Sequence, residues 1–254
     1  MLRRDLLLLS VPAGMPAPVK AQQHPNDAAE RTPPLEWVAG DLPPFAWRAP
    51  GGARGYAHDL MLLMARQLGR PAQVTYYPWA RAVQLTERSD HVGIFPLART
   101  PDREKRFQWL VPLMTTRYVL VTTATERRLV LSQLRLLRVG VLRGSPIVRN
   151  LQGEHFQTII EGKDYKDLLR MLVGGTLDAV YAGASMIEAA MDEYGYARQR
   201  FTTHLALGEA KLYMAASLAL APEEARRWQK AYQQLEEDGS VERLRRRYFA
   251  AEKH

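Results

Sequence analysis

The sequence predicts an α/β protein of two lobes, each built on a parallel-type sheet, with two crossover strands joining them. Three observations carry that expectation. Between Leu35 and Phe95, short apolar strand-like runs alternate with amphipathic helical segments, an order that implies parallel strands linked by crossover helices. A fresh alternation of the same kind begins at Arg138. Between and after the two blocks lie β-rich runs, Tyr118–Thr123 and Lys211–Leu218, which read as the outward and returning connections.

The elements follow in order. Leu35–Ala39 reads as a strand, and Gly40–Arg54 as a loop punctuated by Pro43, Pro44, Gly51 and Gly52. Asp59–Leu68 is helical, with Leu60, Leu63, Met64 and Leu68 on one face and Gly69 as its stop. Gln73–Tyr77 is a strand, Trp79–Glu87 a short helix, and Val92–Phe95 a buried strand. In the second block, strands at Arg138–Leu142, Thr158–Ile160 and Asp178–Tyr181 alternate with helices at Pro146–Leu151, Tyr165–Val173 and Met186–Glu193. Pro222 opens a helix that Asp238-Gly239 closes, and a last helix runs from Val241 to Tyr248. These boundaries place lobe 1 at residues 35–120 and 210–254, and lobe 2 at 121–209. Ligands of open α/β sheets sit at the carboxyl ends of strands, so the cleft between the lobes is the expected site.

Composition narrows the chemistry. The chain has 254 residues, 46% apolar and 24% charged, which is globular composition long enough for two cores. It has no cysteine, which excludes disulfides, thiol nucleophiles and Cys-based metal sites. Met1-Leu2-Arg3-Arg4, the leucines that follow, and Val19-Lys20-Ala21 resemble a signal peptide over residues 1–21, of general secretory or twin-arginine type, with a Pro-rich linker at 22–34. Export to the periplasm is expected. The net charge is +8, and losing residues 1–21 leaves +6. The densest basic cluster, Arg243 with Arg245-Arg246-Arg247, shares its helix with glutamates and has no nucleic-acid-binding motif around it, so it reads as a solvated face. The six histidines lack metal-ligand spacing, and no nucleophile elbow, Walker sequence or dinucleotide fingerprint is present. A catalytic site, cofactor or metal is therefore not expected.

Candidate binding residues cluster at strand ends. Arg99 and Arg103 follow the Val92–Phe95 strand, and a planar, permanently charged guanidinium there suits a carboxylate better than a core. Gly144-Ser145-Pro146 reads as a loop entering a helix, with Ser145 as N-cap and free N–H groups offered to an anion. Trp79 and Arg81, with Phe45 and Trp47, stand at loop–helix junctions where an aromatic could stack on a flat ligand.

The order of short motifs over Leu35–Phe249 resembles the amino-acid-binding extracytoplasmic solute-binding proteins, bacterial solute-binding protein family 3. Pro43-Pro44-Phe45 and Gly55-Tyr56 look like that family's opening turn and first helix start. Thr100-Pro101-Asp102-Arg103 is similar to its Thr-Pro-Glu-Arg, whose arginine holds a ligand α-carboxylate. Phe107-Gln108-Trp109, Val139-Gly140-Val141 with Gly144-Ser145, Leu177-Asp178-Ala179, and Asp238-Gly239 through Tyr248-Phe249 continue the match. The resemblance implies a type II periplasmic-binding-protein-like fold that closes on its ligand by a hinge motion. It also implies a departure. The aspartate that receives a ligand ammonium falls at Gly183, hydroxyl residues before the arginine are replaced by Pro96 and Ala98, and an aromatic before Pro-Phe is replaced by Leu42. Ala98, and Tyr181 beside Gly183, complete the expected binding set.

The function expected from these residues is capture of a small, carboxylate-bearing solute by a monomeric periplasmic protein serving an ABC permease. A sensory binding protein for a membrane kinase or cyclase, and a cyclohexadienyl-dehydratase-like enzyme, are the alternatives that the same fold implies.

Overall fold

The computed structural model describes residues 34–124 and 129–249. The expected signal peptide and all but the last residue of the linker lie outside these residues. In chain order the first elements are β1 (Glu36–Ala39), β2 (Trp47–Ala49), β3 (Gly52–Arg54), α1 (Tyr56–Gln67), β4 (Val74–Tyr76), α2 (Trp79–Arg88) and β5 (Val92–Arg99). A 3₁₀ turn at Pro101–Arg103 leads into β6 (Phe107–Thr123). Then come α3 (Leu131–Leu134), β7 (Arg138–Leu142), α4 (Ile147–Gly153), β8 (Thr158–Gly162), α5 (Tyr165–Val173), β9 (Ala179–Gly183) and α6 (Ala184–Glu193). The chain returns along β10 (Phe201–Ser217) and closes with α7 (Pro222–Glu237) and α8 (Ser240–Phe249).

Eight strands form one continuous sheet in the order β4-β1-β5-β10-β6-β9-β7-β8. Its two flanks are parallel: β4, β1 and β5 on one side, β9, β7 and β8 on the other. The centre is antiparallel. Strands β6 and β10, seventeen residues each, pair along their length with four register shifts. One end of this ribbon pairs with β5, through Lys211↔Arg99 to Ala216↔Gly93. The other pairs with β9, through Tyr118↔Gly183 to Val121↔Val180. Register shifts bend and twist a ribbon, so one sheet serves two half-sheets whose strand ends face each other.

The core of the first half is aromatic. Trp37 on β1 packs edge-on against Trp228 of α7 at 5.0 Å and against Phe95 of β5 at 5.5 Å. Room for the indole comes from Gly93 on the neighbouring strand, where a Cβ would lie 2.5 Å from Trp37 Cε3. Helix α7 presents Ala225, Trp228, Ala231, Tyr232 and Leu235 inward at helical spacing. Its first turn buries Glu224, whose carboxylate accepts hydrogen bonds from Arg70 and the Trp228 indole, both at 3.1 Å. A clasp ties the last helix to α1. Tyr248 donates to Asp59 Oδ2 at 2.6 Å and accepts from the Gly55 N–H at 3.2 Å. In the second half, Asp164 caps α5 by accepting from the Asp167 N–H, and Leu168, Leu169 and Leu172 face the sheet.

Four expectations change. The Gly40–Arg54 loop contains a hairpin, β2 with β3, turning at Pro50-Gly51. Strand β5 runs on to Arg99, and the connecting strands start earlier than expected, at Phe107 and Phe201. Residues 202–210, not expected as strand, belong to β10 and pair with β6. Short α3 was not anticipated.

Gly93→Ala is expected to lower unfolding stability by about 1–3 kcal/mol, the usual range for overpacking, with Trp37 forced off its seat. Chemical denaturation followed by indole fluorescence checks this, and an unchanged midpoint refutes the packing account.

Candidate functional site

Strand β5 is buried along Val92–Ala98, and after Thr100 the chain makes a single 3₁₀ turn with proline at its start. The turn is closed by Arg103 N–H donating to Thr100 O at 2.9 Å. It returns the Arg103 side chain beneath the end of the strand it follows. Only 4% of Arg103 is exposed. Its Nη1 donates to Ala98 O at 3.2 Å and its Nη2 to Gly144 O at 3.0 Å, across to the second half. The guanidinium forms no ion pair among the described residues. Burial pulls its pKa below the ordinary arginine value, with Asp102 opposing. That is the direction expected of a cation short of counter-charge.

Arg103 lines a cavity of about 40 Å³ between the half-sheets. Leu42, Trp79, Pro96, Ala98 and Leu212 contribute from the first half, and Leu142, Ser145, Pro146, Ile147, Tyr165 and Met186 from the second. Thr116 and Tyr118 come from β6. No carboxylate is among these residues. Gly183 sits at the end of β9 beside the same wall: a Cβ there would lie 3.1 Å from Thr116 Oγ1 and 3.5 Å from Met186 Sδ. Ser145 Oγ is buried without a hydrogen-bond partner. A second cavity, of about 110 Å³, shares Leu42, Trp79 and Leu142 with the first and is otherwise lined by Asp41, Arg48, Tyr77, Pro78, Lys163 and Asp164.

Of the residues expected at the site, Arg103, Ser145, Trp79 and Ala98 line the first cavity, and Gly144 adjoins it through its carbonyl. Five are placed elsewhere. Arg99 is taken by Glu104 in a two-point ion pair at 2.7 and 3.0 Å and lies against the Trp109 and Tyr213 rings. Arg81 is exposed on α2. Phe45 is fully buried against Tyr56 and Phe249. Trp47 packs on Tyr248 beneath Arg54. The Tyr181 ring packs behind Tyr118 at 5.6 Å, and its hydroxyl donates to Leu207 O. Ser145 is also not a helix cap. Pro146 occupies that position, and seven-residue α4 starts without a side-chain cap. The sequence reading missed Thr116, Tyr118, Leu142, Tyr165, Ile147 and Met186. Proximity of Thr116 and Tyr118 to Gly183 is set by the β6–β9 register, for which the local sequence carries no signal.

The profile of the bacterial extracellular solute-binding proteins, family 3, matches residues 37–251. This chain belongs to that family. No curated protein matches the sequence. Among solved structures, a mutant of ArgBP from T. maritima is 17% identical, with a TM-score of 0.76 over 89% of this chain and 98% of that one. An ABC uptake transporter substrate binding protein from Streptococcus pneumoniae with bound histidine is 12% identical, TM-score 0.77, over 89% and 96%. A histidine kinase sensor domain with similarity to periplasmic binding proteins is 15% identical, TM-score 0.77, over 87% and 97%. At these identities the likeness establishes the fold, that of type II periplasmic binding proteins.

In this member of the family the halves touch at several points around the cavity. Asp102 pairs with Arg149, and Arg54 with Glu193 at 3.2 Å. Burial raises the Asp102 pKa, but hydrogen bonds from Arg149 and Thr100 outweigh it and hold the carboxyl at about 2. A carboxyl with a depressed pKa stabilises its contact above its unfolded value, so the contribution is lost only as pH falls toward 2. Gly144 has φ +78°, and a Cβ on it would lie 2.8 Å from the Ala80 backbone. Gly144→Ala is expected to hold the halves apart, since the strained φ and the backbone clash act together. Small-angle scattering checks this: a larger radius of gyration than the parent is expected, and an identical one refutes close approach at this point.

Proposed function

We propose that this protein is an extracytoplasmic binding protein that closes two lobes, residues 35–120 with 210–254 and residues 121–209, around a small organic carboxylate lacking an α-ammonium group. Delivery to an ABC-type permease is its role. The observation that carries this reading is Arg103: a buried guanidinium, free of any ion pair among the described residues, at a cavity wall. A carboxylate entering there gains charge-assisted hydrogen bonds of about 1.5–3 kcal/mol each. It also supplies the counter-charge that burial leaves wanting.

Selection against amino acids rests on what surrounds the arginine. The cavity is apolar apart from Arg103, Thr116, Ser145 and the two tyrosines, and glycine stands at 183. An ammonium buried there lacks an acidic partner, and an unpaired buried charge is costly. Ser145 Oγ, unpartnered and buried, is a second donor for the anion. A sensory role uses the same capture step. The likeness to a kinase sensor domain keeps it as the second reading, and binding to an isolated permease or kinase separates the two.

Calorimetry with amino acids and their deaminated 2-oxo or 2-hydroxy counterparts tests the reading. The deaminated member of each pair is expected to bind at least about tenfold tighter. Arg103→Ala is expected to weaken its binding by about 30-fold or more. Tighter binding of the amino acids, or an affinity indifferent to Arg103→Ala, refutes it.

A further inference from the structure

We propose that Trp79, with Leu42 and Leu142, forms a partition that limits the length of solute the Arg103 cavity accepts. The inference rests on the carboxylate reading above and adds a residue that sets specificity. Two cavities lie between the half-sheets, and these three side chains are the lining they share. On one side is the compartment with Arg103. On the other is a larger, polar compartment, where the Asp41 carboxylate accepts from Arg48 Nε at 3.2 Å and from Arg48 Nη2 at 2.5 Å, the Nε contact being shared between both carboxylate oxygens.

The partition is built firmly. Trp79 opens α2 and is 5% exposed. Its indole lies over Gly40, where a Cβ would stand 3.3 Å from Trp79 Cε3 and 3.5 Å from Leu42 Cγ. A Cβ at residue 40 would press on the indole and meet Leu42 at ordinary contact distance, so the glycine leaves room for Trp79 to seat closely. Leu142, at the end of β7 and 3% exposed, meets them from the opposite half. The partition is therefore completed only when the halves are together. A carboxylate anchored on Arg103 extends its chain toward this wall and, past a short length, meets the indole.

Removing wall atoms joins the compartments and lets a longer chain through. Each added methylene that gains burial is worth about fourfold in affinity. Linear monocarboxylates from propionate to octanoate are the probes, titrated by calorimetry into the parent, Trp79→Leu, Leu142→Ala and Arg103→Ala. The parent is expected to bind short chains best and to lose affinity beyond a cut-off. Trp79→Leu and Leu142→Ala, altered from opposite halves, should each move the optimum to longer chains, so either alone suffices if the other fails to fold. Unchanged length ranking in every folded variant, with Arg103→Ala still weakening binding about 30-fold or more, overturns the partition and leaves the carboxylate reading intact. A parent that binds none of the probes, while deaminated amino acids do bind through Arg103, also overturns the partition alone. An affinity indifferent to Arg103→Ala overturns both.

Discussion

A buried guanidinium between two half-sheets is the constraint from which the rest of this molecule can be reasoned. Arg103 has five donors and cannot shed its charge, yet it is almost wholly enclosed. Its two protein contacts are backbone carbonyls, Ala98 O from its own half and Gly144 O from the other. Neutral carbonyls satisfy geometry without cancelling charge, so the guanidinium is left without a counter-charge among the described residues. The same contacts make enclosure of the arginine depend on the approach of the Gly144 loop.

The strand ends on the two flanks are held opposite each other by a shared frame. The β6–β10 ribbon is that frame. It is continuous in backbone pairing, and its register shifts leave it locally irregular between the flanks. Everything else about the cleft is set by which element ends where: Trp79 at the start of α2, Leu142 at the end of β7, Met186 in the first turn of α6. Ion pairs between the halves, at Asp102–Arg149 and Arg54–Glu193, lie at exposed positions, where such pairs contribute little individually.

Much of the fold was legible because the periodicities are local. Strand β7 and helix α5 agree with their sequence expectations to the residue, since alternation and helical spacing there are uninterrupted and Asp164 marks the helix start. The position of Arg103 at a strand end was legible for a similar reason: the turn that carries it follows β5 directly. What was hidden depends on long-range pairing. Tyr118 and Thr116 reach the cavity only because β6 meets β9 in one register, and Phe45 and Trp47 leave it because the C-terminal aromatics Tyr248 and Phe249 claim them. Arg99 shows the limit of reading charge alone. Four residues from Arg103 and of the same chemistry, it is neutralised by Glu104 one residue beyond.

The order of strands across the sheet carries a consequence for how the chain assembles. The flank β9-β7-β8 and its partner β6 come from one uninterrupted stretch, whereas the flank β4-β1-β5 borrows β10 from a point more than a hundred residues downstream. Loop-closure entropy is met before such a distant strand can add on. The N-terminal flank is therefore completed late, with the hydrogen-bonding edge of β5 bare until Phe201–Ser217 arrives. An unpaired edge is a template for association with another chain. Docking of β10 therefore also closes off that template.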